Sequence, residues 1–338
     1  MLQLANETPM RVVMTLMPDR RGVESLVVLV KGTFSLDEAP RLLDAQLPLQ
    51  VGDVWRGDPG SGSLRLPNEY HPPKPSTDVL LYGHAHTPDH RPRASMEVSL
   101  RVGPVQRVVR VWGDREFTGQ TSGQVITAPQ PFAAMPLCWE RAYGGRSPDG
   151  AFVEARNPVG VGALPDDLRR AAPFRGAPVP NLEDPADPFV APGRPATPVC
   201  FAPVAPTWAP RSLRVGTYDD AWDRARAPFL PDDFDDRHYQ CAPDELVPAR
   251  PLAGAEPIAL EGLSPRGAVS SRVPQVAFDA AAVIAGVRVP LGLTLDTLCL
   301  EPDEQRMSVI WRVQHVVDKR ALSIASVRVA LRPGGDVP

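Results

Sequence analysis

Residues 81–90, LYGHAHTPDH, bring three of the chain's six histidines together with Asp89. Imidazole and carboxylate are zinc-ligand types, so metal chemistry is the first question this sequence raises. His84 and His86 are two apart; on a strand both side chains would point to one side and could join ligands from elsewhere. The H-x-H-x-D-H pattern of zinc hydrolases is not met, however. The spacing here is H-x-H-x-x-D-H, with Pro88 inside it. His71, His238 and His315 have no carboxylate at a telling distance along the chain. The expectation is therefore a strand end, DVLLYG, followed by a polar turn, HTPDHRPR, with no metal and no cofactor. A metal-dependent hydrolase using His84, His86 and His90 is the alternative.

Other catalytic patterns fail on their own terms. GSGS at 60–63 lies in a Pro/Gly-rich loop and is not a G-x-S-x-G elbow. YGGRSPDG lacks the lysine of a phosphate loop, and PDDFDD at 231–236 lacks the glycine and closing glutamate of a calcium loop. Glu140 and Arg141 read as structural. Cys138, Cys200, Cys241 and Cys299 make no C-x-x-C pair, which leaves buried, reduced thiols as the default. No nucleophile–base pair stands out, and a protein that is not an enzyme is expected.

The elements that must position such residues are short. Proline accounts for 41 of 338 residues, about 12% against roughly 5% on average. Each proline fixes φ and removes a backbone donor, so long helices and central strands fit only where prolines are absent. Strands are legible by their period of two. Val12, Met14 and Leu16 alternate in RVVMTLM; residues 25–36 are apolar on both faces, as in a sheet interior. Residues 95–113 read as an antiparallel hairpin broken at Gly103-Pro104. A second hairpin is expected over 297–313, turning through 302–304, with Met307, Val309, Trp311 and Val313 inward. LSIASVRVAL changes phase near Ala325, which predicts a bulge or a corner.

Two short helices are expected. MPLCWERAYGG has Pro136 at its first turn and Gly144-Gly145 past its end. GTYDDAWDRARAPF offers Thr217 as cap, acids first, arginines last and Pro228 as stop, with Tyr218 and Trp222 on one face. The proline-dense stretch 155–212 carries Phe189, Val190, Val199, Phe201, Val204 and Trp208. Flexible linkers are polar or Gly/Ser-rich, so this one reads as an ordered strap across the fold. The fold class expected is mainly β, with antiparallel sheets in a sandwich- or barrel-like arrangement, a few short helices and long Pro-rich ordered loops. One domain is expected over 1–338, with sub-regions 1–154, 155–212 and 213–338.

A net charge of −4 gives no footprint for nucleic acid. The start, MLQLANETPM, lacks a basic segment leading into an apolar core, and LVVLV at 26–30 is too short to span a bilayer. A cytoplasmic protein without a membrane partner is expected.

The most distinctive feature is a string of aromatic, Pro and Gly signatures. PLCWERAYGG (136–145) is followed by NPVGVG (157–162), PNLEDP (180–185), the long run from Phe201 to Leu246, and DTLCLEPDEQRMSVIWR (296–312). In this order and spacing, covering nearly the whole chain, they resemble a bacterial family of type VI secretion effector adaptors, or chaperones. That family was formerly a domain of unknown function, and its members are encoded beside VgrG spike genes and PAAR or pentapeptide-repeat genes. The resemblance implies a cytoplasmic protein that binds a toxic effector and helps load it onto the VgrG or PAAR spike. Trp and Tyr dominate binding hot spots, so Trp139, Tyr143, Trp208, Tyr218, Trp222, Phe234 and Tyr239 are the candidate partner contacts. Arg141, Arg211 and Asp219 are expected to brace the loops by ion pairing. A third reading is a β-sandwich module that binds a glycan or peptide.

Overall fold

A computed structural model describes residues 3–119, 125–146, 150, 152–163, 175–190 and 194–332. The longest proline-free apolar run becomes the organising strand. Glu24–Ser35 is buried at every position but Glu24, because it has a strand on either side and side chains packed on both faces. Its sheet runs Arg11–Pro18, Glu24–Ser35, Arg306–Val316, Thr294–Glu301 and Asp78–Leu81. The last pair is parallel and the others antiparallel.

A second sheet orders Leu182–Glu183, Val105–Trp112, Ser95–Val102, Pro257–Glu261 and Val269–Arg272, all antiparallel. A third orders Gln3–Glu7, Ile324–Leu331, Phe278–Ile284 and Val287–Pro290. All three are open, so the chain is mainly β without barrel closure. Both expected hairpins form, over Ser95–Val102/Val105–Trp112 and Thr294–Glu301/Arg306–Val316. The register opposite Ile324–Leu331 shifts between Val283 and Ile284, skipping Ala325 as its change of phase predicts. No helix among the described residues is long and apolar enough to cross a membrane.

Period-two alternation gives the central sheet two unlike faces. Leu26, Val28, Val30 and Phe34 turn to the main core, together with Met307, Val309 and Trp311. There they meet Val98, Leu100 and Val109 of the second sheet and Ala282, Val327 and Val329 of the third. The opposite face starts apolar, with Val27, Leu29 and Ile310. It continues as Lys31, Thr297, Cys299 and Ser308, which floor a cleft.

The described part of the 155–212 stretch packs on the core. Val199, Phe201, Val204 and Trp208 are buried in the main core, while Val190 faces solvent. Phe201 O accepts from Leu81 N at 3.2 Å, and Val204 N donates to Cys241 O at 2.7 Å. Prolines suit this segment because few of its amides are needed for ladders.

The 135–145 helix is corrected. Ala134–Pro136 is a strand on His84–His86, and only Trp139–Arg141 makes a 3-10 turn. The glycines past it admit a neighbour instead of closing a helix: a Cβ on Gly144 would lie 2.1 Å from Asn157 O. Buried Asn157 donates through Nδ2 to Trp139 O (2.8 Å) and Tyr143 O (2.9 Å). Two motifs separate in sequence are thereby one joint. The second helix forms, but shorter, over Asp220–Ala225, and its cap is Asp219, whose carboxylate accepts from Ala221 N and Trp222 N. Thr217 hydrogen-bonds Asp233 instead.

Replacing Phe201 with Ala removes a fully buried ring from the strap, and we expect a loss of about 3–5 kcal/mol in urea unfolding. A loss below about 1 kcal/mol, within the range of surface changes, would mean that the strap is not part of the core.

Candidate functional site

The histidines are not turn chemistry. His84–His86 is a three-residue strand paired with Ala134–Pro136, and the polar turn begins only after it. The i, i+2 spacing sends both imidazoles to one side, where each meets Asp303. His84 Nδ1 lies 2.7 Å from Asp303 Oδ2, and His86 Nε2 lies 2.7 Å from Asp303 Oδ1. Asp303 sits in the single 3-10 turn Pro302–Glu304 between the last two strands of the central sheet's hairpin. His90, the expected third ligand, is outside this trio: its ring stacks edge-on to His86 at 6.4 Å, and residues 89 and 90 turn away with positive φ. The carboxylate was legible in the sequence only as part of a hairpin turn, since 219 residues separate it from His84.

His84 also lines a cleft of about 710 Å³ over the polar face of the central sheet. Loops around residues 47–74 and 206–241 roof it. Its charge is organised by a buried network that sequence reading missed. Lys74 donates to Asp78 (2.7 Å) and Thr297 Oγ1 (2.7 Å) and lies 3.3 Å from Asp296. Arg312, fully buried, donates to Asp296 Oδ1 at 2.9 Å and to the carbonyls of Glu69 and His71. Lys31 pairs with Glu69 at 2.6 Å. The signal in the sequence was slight: a basic residue, Arg312, inside the apolar stretch VIWRV at 309–313.

Burial alone would raise the Asp296 carboxyl, but the Arg312 guanidinium and the Lys74 ammonium outweigh it and hold it far below the usual range. Burial likewise disfavours the Lys74 cation, yet Asp296 and Asp78 more than offset that and raise it. For His71 the help from Asp296 and the Pro72 carbonyl is too small. Burial, then the cations of Arg312 and Lys74, push it well below its ordinary value, so it is neutral at pH 7. Burial also lifts the Tyr82 hydroxyl and the Cys241 and Cys299 thiols, which leaves these cleft groups protonated at pH 7. All four cysteines are free thiols; Cys138, Cys200 and Cys241 are buried and Cys299 is half-buried.

The seven candidate contact aromatics divide by burial. Trp139, Tyr143, Trp208 and Phe234 are buried core residues. The Trp139 indole donates to the strap carbonyls of Ala202 (3.1 Å) and Pro203 (2.9 Å), and its ring meets Trp208 edge-on. Tyr239 is half-buried and stacks on His71 in the cleft. Trp222 is half-buried, and Tyr218, 52% exposed, packs edge-on to it at 4.6 Å.

The expected braces differ in kind. Arg141 pairs with Asp114 at 2.9 Å as anticipated. Arg211 holds the strap through carbonyls, donating to Val204 O and His238 O, and Asp219 is the helix cap. Glu140 accepts from the Ser63 amide and hydroxyl. Glu183 of PNLEDP takes the Arg115 guanidinium at 2.5 Å and the Trp112 indole at 2.9 Å.

Open, mostly antiparallel sheets and a charged, loop-roofed cleft with the His84 imidazole in its wall define a mainly-β protein with a concave site. The chain belongs to a bacterial family described as "Uncharacterized protein conserved in bacteria (DUF2169)", whose model matches residues 21–312. No curated protein and no solved structure matches it.

Two outcomes are expected from the network. Arg312→Leu leaves Asp296 short of its main partner and lowers stability by about 3 kcal/mol in urea unfolding; a change within about 0.5 kcal/mol would show that the network is dispensable. The second concerns pH. His71 has a folded value below its unfolded one, so the unfolded chain binds more protons. The stability tied to it is complete above the ordinary value of 6.5 and is lost as pH falls through the lower folded value. Wild type should therefore weaken on going from pH 7 to 5, and His71→Asn should flatten that part of the curve. An unchanged slope in the variant would remove His71 as its source.

Proposed function

We propose that this protein is a non-catalytic cytoplasmic adaptor that binds a toxic effector and helps load it onto the VgrG or PAAR spike of a type VI secretion system. The motif string quoted above supports this reading by resemblance. The observation that carries it on the molecule is an arm, residues 213–230, that exposes apolar side chains among its charged ones. Leu213 is 79% exposed and Phe229 43%, and Tyr218 stands with them. The core spends its other motif aromatics on pinning loops, whereas these remain outside it.

The arm is held in place. Asp219 caps its helix, the Trp222 indole donates to Phe229 O at 2.8 Å, and Arg226 donates to Arg20 O at 2.8 Å. Phe229 rests on Gly22, where a Cβ would come within 2.2 Å of the ring. That fixes the arm on the turn, residues 19–23, that follows Arg11–Pro18, the edge strand of the central sheet, which shows Leu16 to solvent. A fixed aromatic patch next to an open edge suits a partner that supplies an extended segment: the edge offers backbone hydrogen bonds and the aromatics offer anchors.

The second reading, a binding module for a glycan or peptide, draws on the cleft of about 710 Å³, which is of small-ligand size.

A tagged pull-down from the native cells, read by mass spectrometry, should recover a spike protein and one toxin. The Tyr218→Ala, Trp222→Ala double variant should keep its far-UV spectrum and lose recovery by about 30-fold, the effect of a 2 kcal/mol hot spot. Full recovery by the folded variant removes the arm as the contact. Recovery of neither spike nor toxin by wild type sinks the adaptor reading, and glycan or peptide binding alone would favour the second.

A further inference from the structure

We propose that His84, His86 and Asp303 form a binding site for a divalent transition-metal ion of the zinc class, independently of the adaptor reading. Their three donor atoms, one nitrogen from each imidazole and a carboxylate oxygen, all lie within 4.8 Å of one another. Among the described residues they are the histidine, cysteine and carboxylate group that meets this condition. A zinc ion at about 2.0–2.1 Å from each ligand in tetrahedral geometry separates its donors by roughly 3.3 Å. Small side-chain rotations therefore suffice to close the trio around an ion.

The framework is rigid on both sides. His84 and His86 are held by the pairing of their strand with Ala134–Pro136, and His86 N donates to Gly262 O at 2.8 Å. Asp303 is fixed by the turn that joins Thr294–Glu301 to Arg306–Val316, which Gln305 closes in the left-handed conformation. The two halves touch at Gly83, where a Cβ would stand 3.2 Å from Asp303 Oδ2. Glycine there lets the carboxylate approach both rings, so the close approach is built into the backbone.

The chemistry of the donor set decides the ion. Imidazole nitrogen with carboxylate oxygen suits zinc, iron, nickel and copper, whereas calcium and magnesium require oxygen ligands. Three protein ligands leave a coordination position for water or a small anion, which is the composition of open zinc sites and not of closed structural ones. The surroundings agree. His84 lines the large cleft, and His86 lines a second cavity of about 400 Å³ with Thr87, His90, Ser264 and Arg266. The two imidazoles thus face two different cavities, with Asp303 bonded to both. Binding exchanges the imidazole–carboxylate hydrogen bonds for metal bonds, and any proton they hold goes to solvent.

The test uses the full chain stripped with a chelator, desalted, and titrated with zinc alone by calorimetry, with metal analysis after gel filtration. One zinc per chain is expected, with a raised melting temperature. Asp303→Asn, which keeps the shape and hydrogen bonding of the turn, and His84→Ala, at a half-exposed position, should each abolish stoichiometric binding while the chain stays folded by circular dichroism. His90→Ala should bind as wild type does. With cobalt in place of zinc, a visible spectrum of tetrahedral type should appear and vanish in Asp303→Asn. Absence of stoichiometric zinc in wild type, or full binding retained by both His84→Ala and Asp303→Asn, overturns the proposal and leaves a hydrogen-bonded His–Asp–His cluster. Should Asp303→Asn not fold, His84→Ala decides alone.

Discussion

The cleft rests on one interaction, the pairing of Asp296 with Arg312 and Lys74 inside the protein. Asp296 and Arg312 lie on adjacent strands of the central sheet, while Lys74 comes from the loop before Asp78–Leu81. Charges taken out of water are costly unless paired and further hydrogen-bonded, and here nearly every donor is used. The Arg312 guanidinium also holds the carbonyls of Glu69 and His71. Asp78 accepts from the Cys241 amide at 2.9 Å. A single network therefore joins the floor of the cleft to both segments of its roof. Its directionality explains why long proline-rich loops can keep one arrangement over a polar face.

The signature motifs serve the same end by other means. Asn157 fastens the Trp139 turn, Glu183 fastens Arg115 and Trp112, and the Trp139 indole fastens the strap. In each case a polar atom satisfies backbone or cationic groups that a loop cannot satisfy with itself. Loops without ladders need such side-chain partners once they are buried, since an unpaired buried polar group costs about 1–3 kcal/mol. The density of Asn, Glu and Trp in these motifs is thus a consequence of having so few regular elements.

The features proposed to carry function lie at the margins of this framework. The central sheet supplies the cleft and, at its hairpin turn, Asp303; its edge supplies the support for the aromatic arm. The His84–His86–Asp303 trio and the arm are distinct features, one proposed to hold a metal ion and the other proposed to meet a protein partner. A protein that carries both can be altered at one without disturbing the other.

The sequence by itself determined the strands. An apolar run on both faces placed the strand Glu24–Ser35, and alternation at period two placed both hairpins and the skipped Ala325, because side chains on a strand must choose a face and the chain records that choice locally. It also indicated that 155–212 packs, since apolar residues in that number are not left in water. Tertiary structure decided the rest. Only the folded chain brings Asp303 to His84 and His86, buries Trp139, Tyr143, Trp208 and Phe234, and leaves Tyr218 outside. It likewise reduced the 135–145 helix to one turn, because its backbone groups bond Gly83 and Asn181 in place of each other. Local periodicity reports which face a residue prefers. Which distant residue meets it there depends on how the sheets stack, and no short stretch of sequence encodes that.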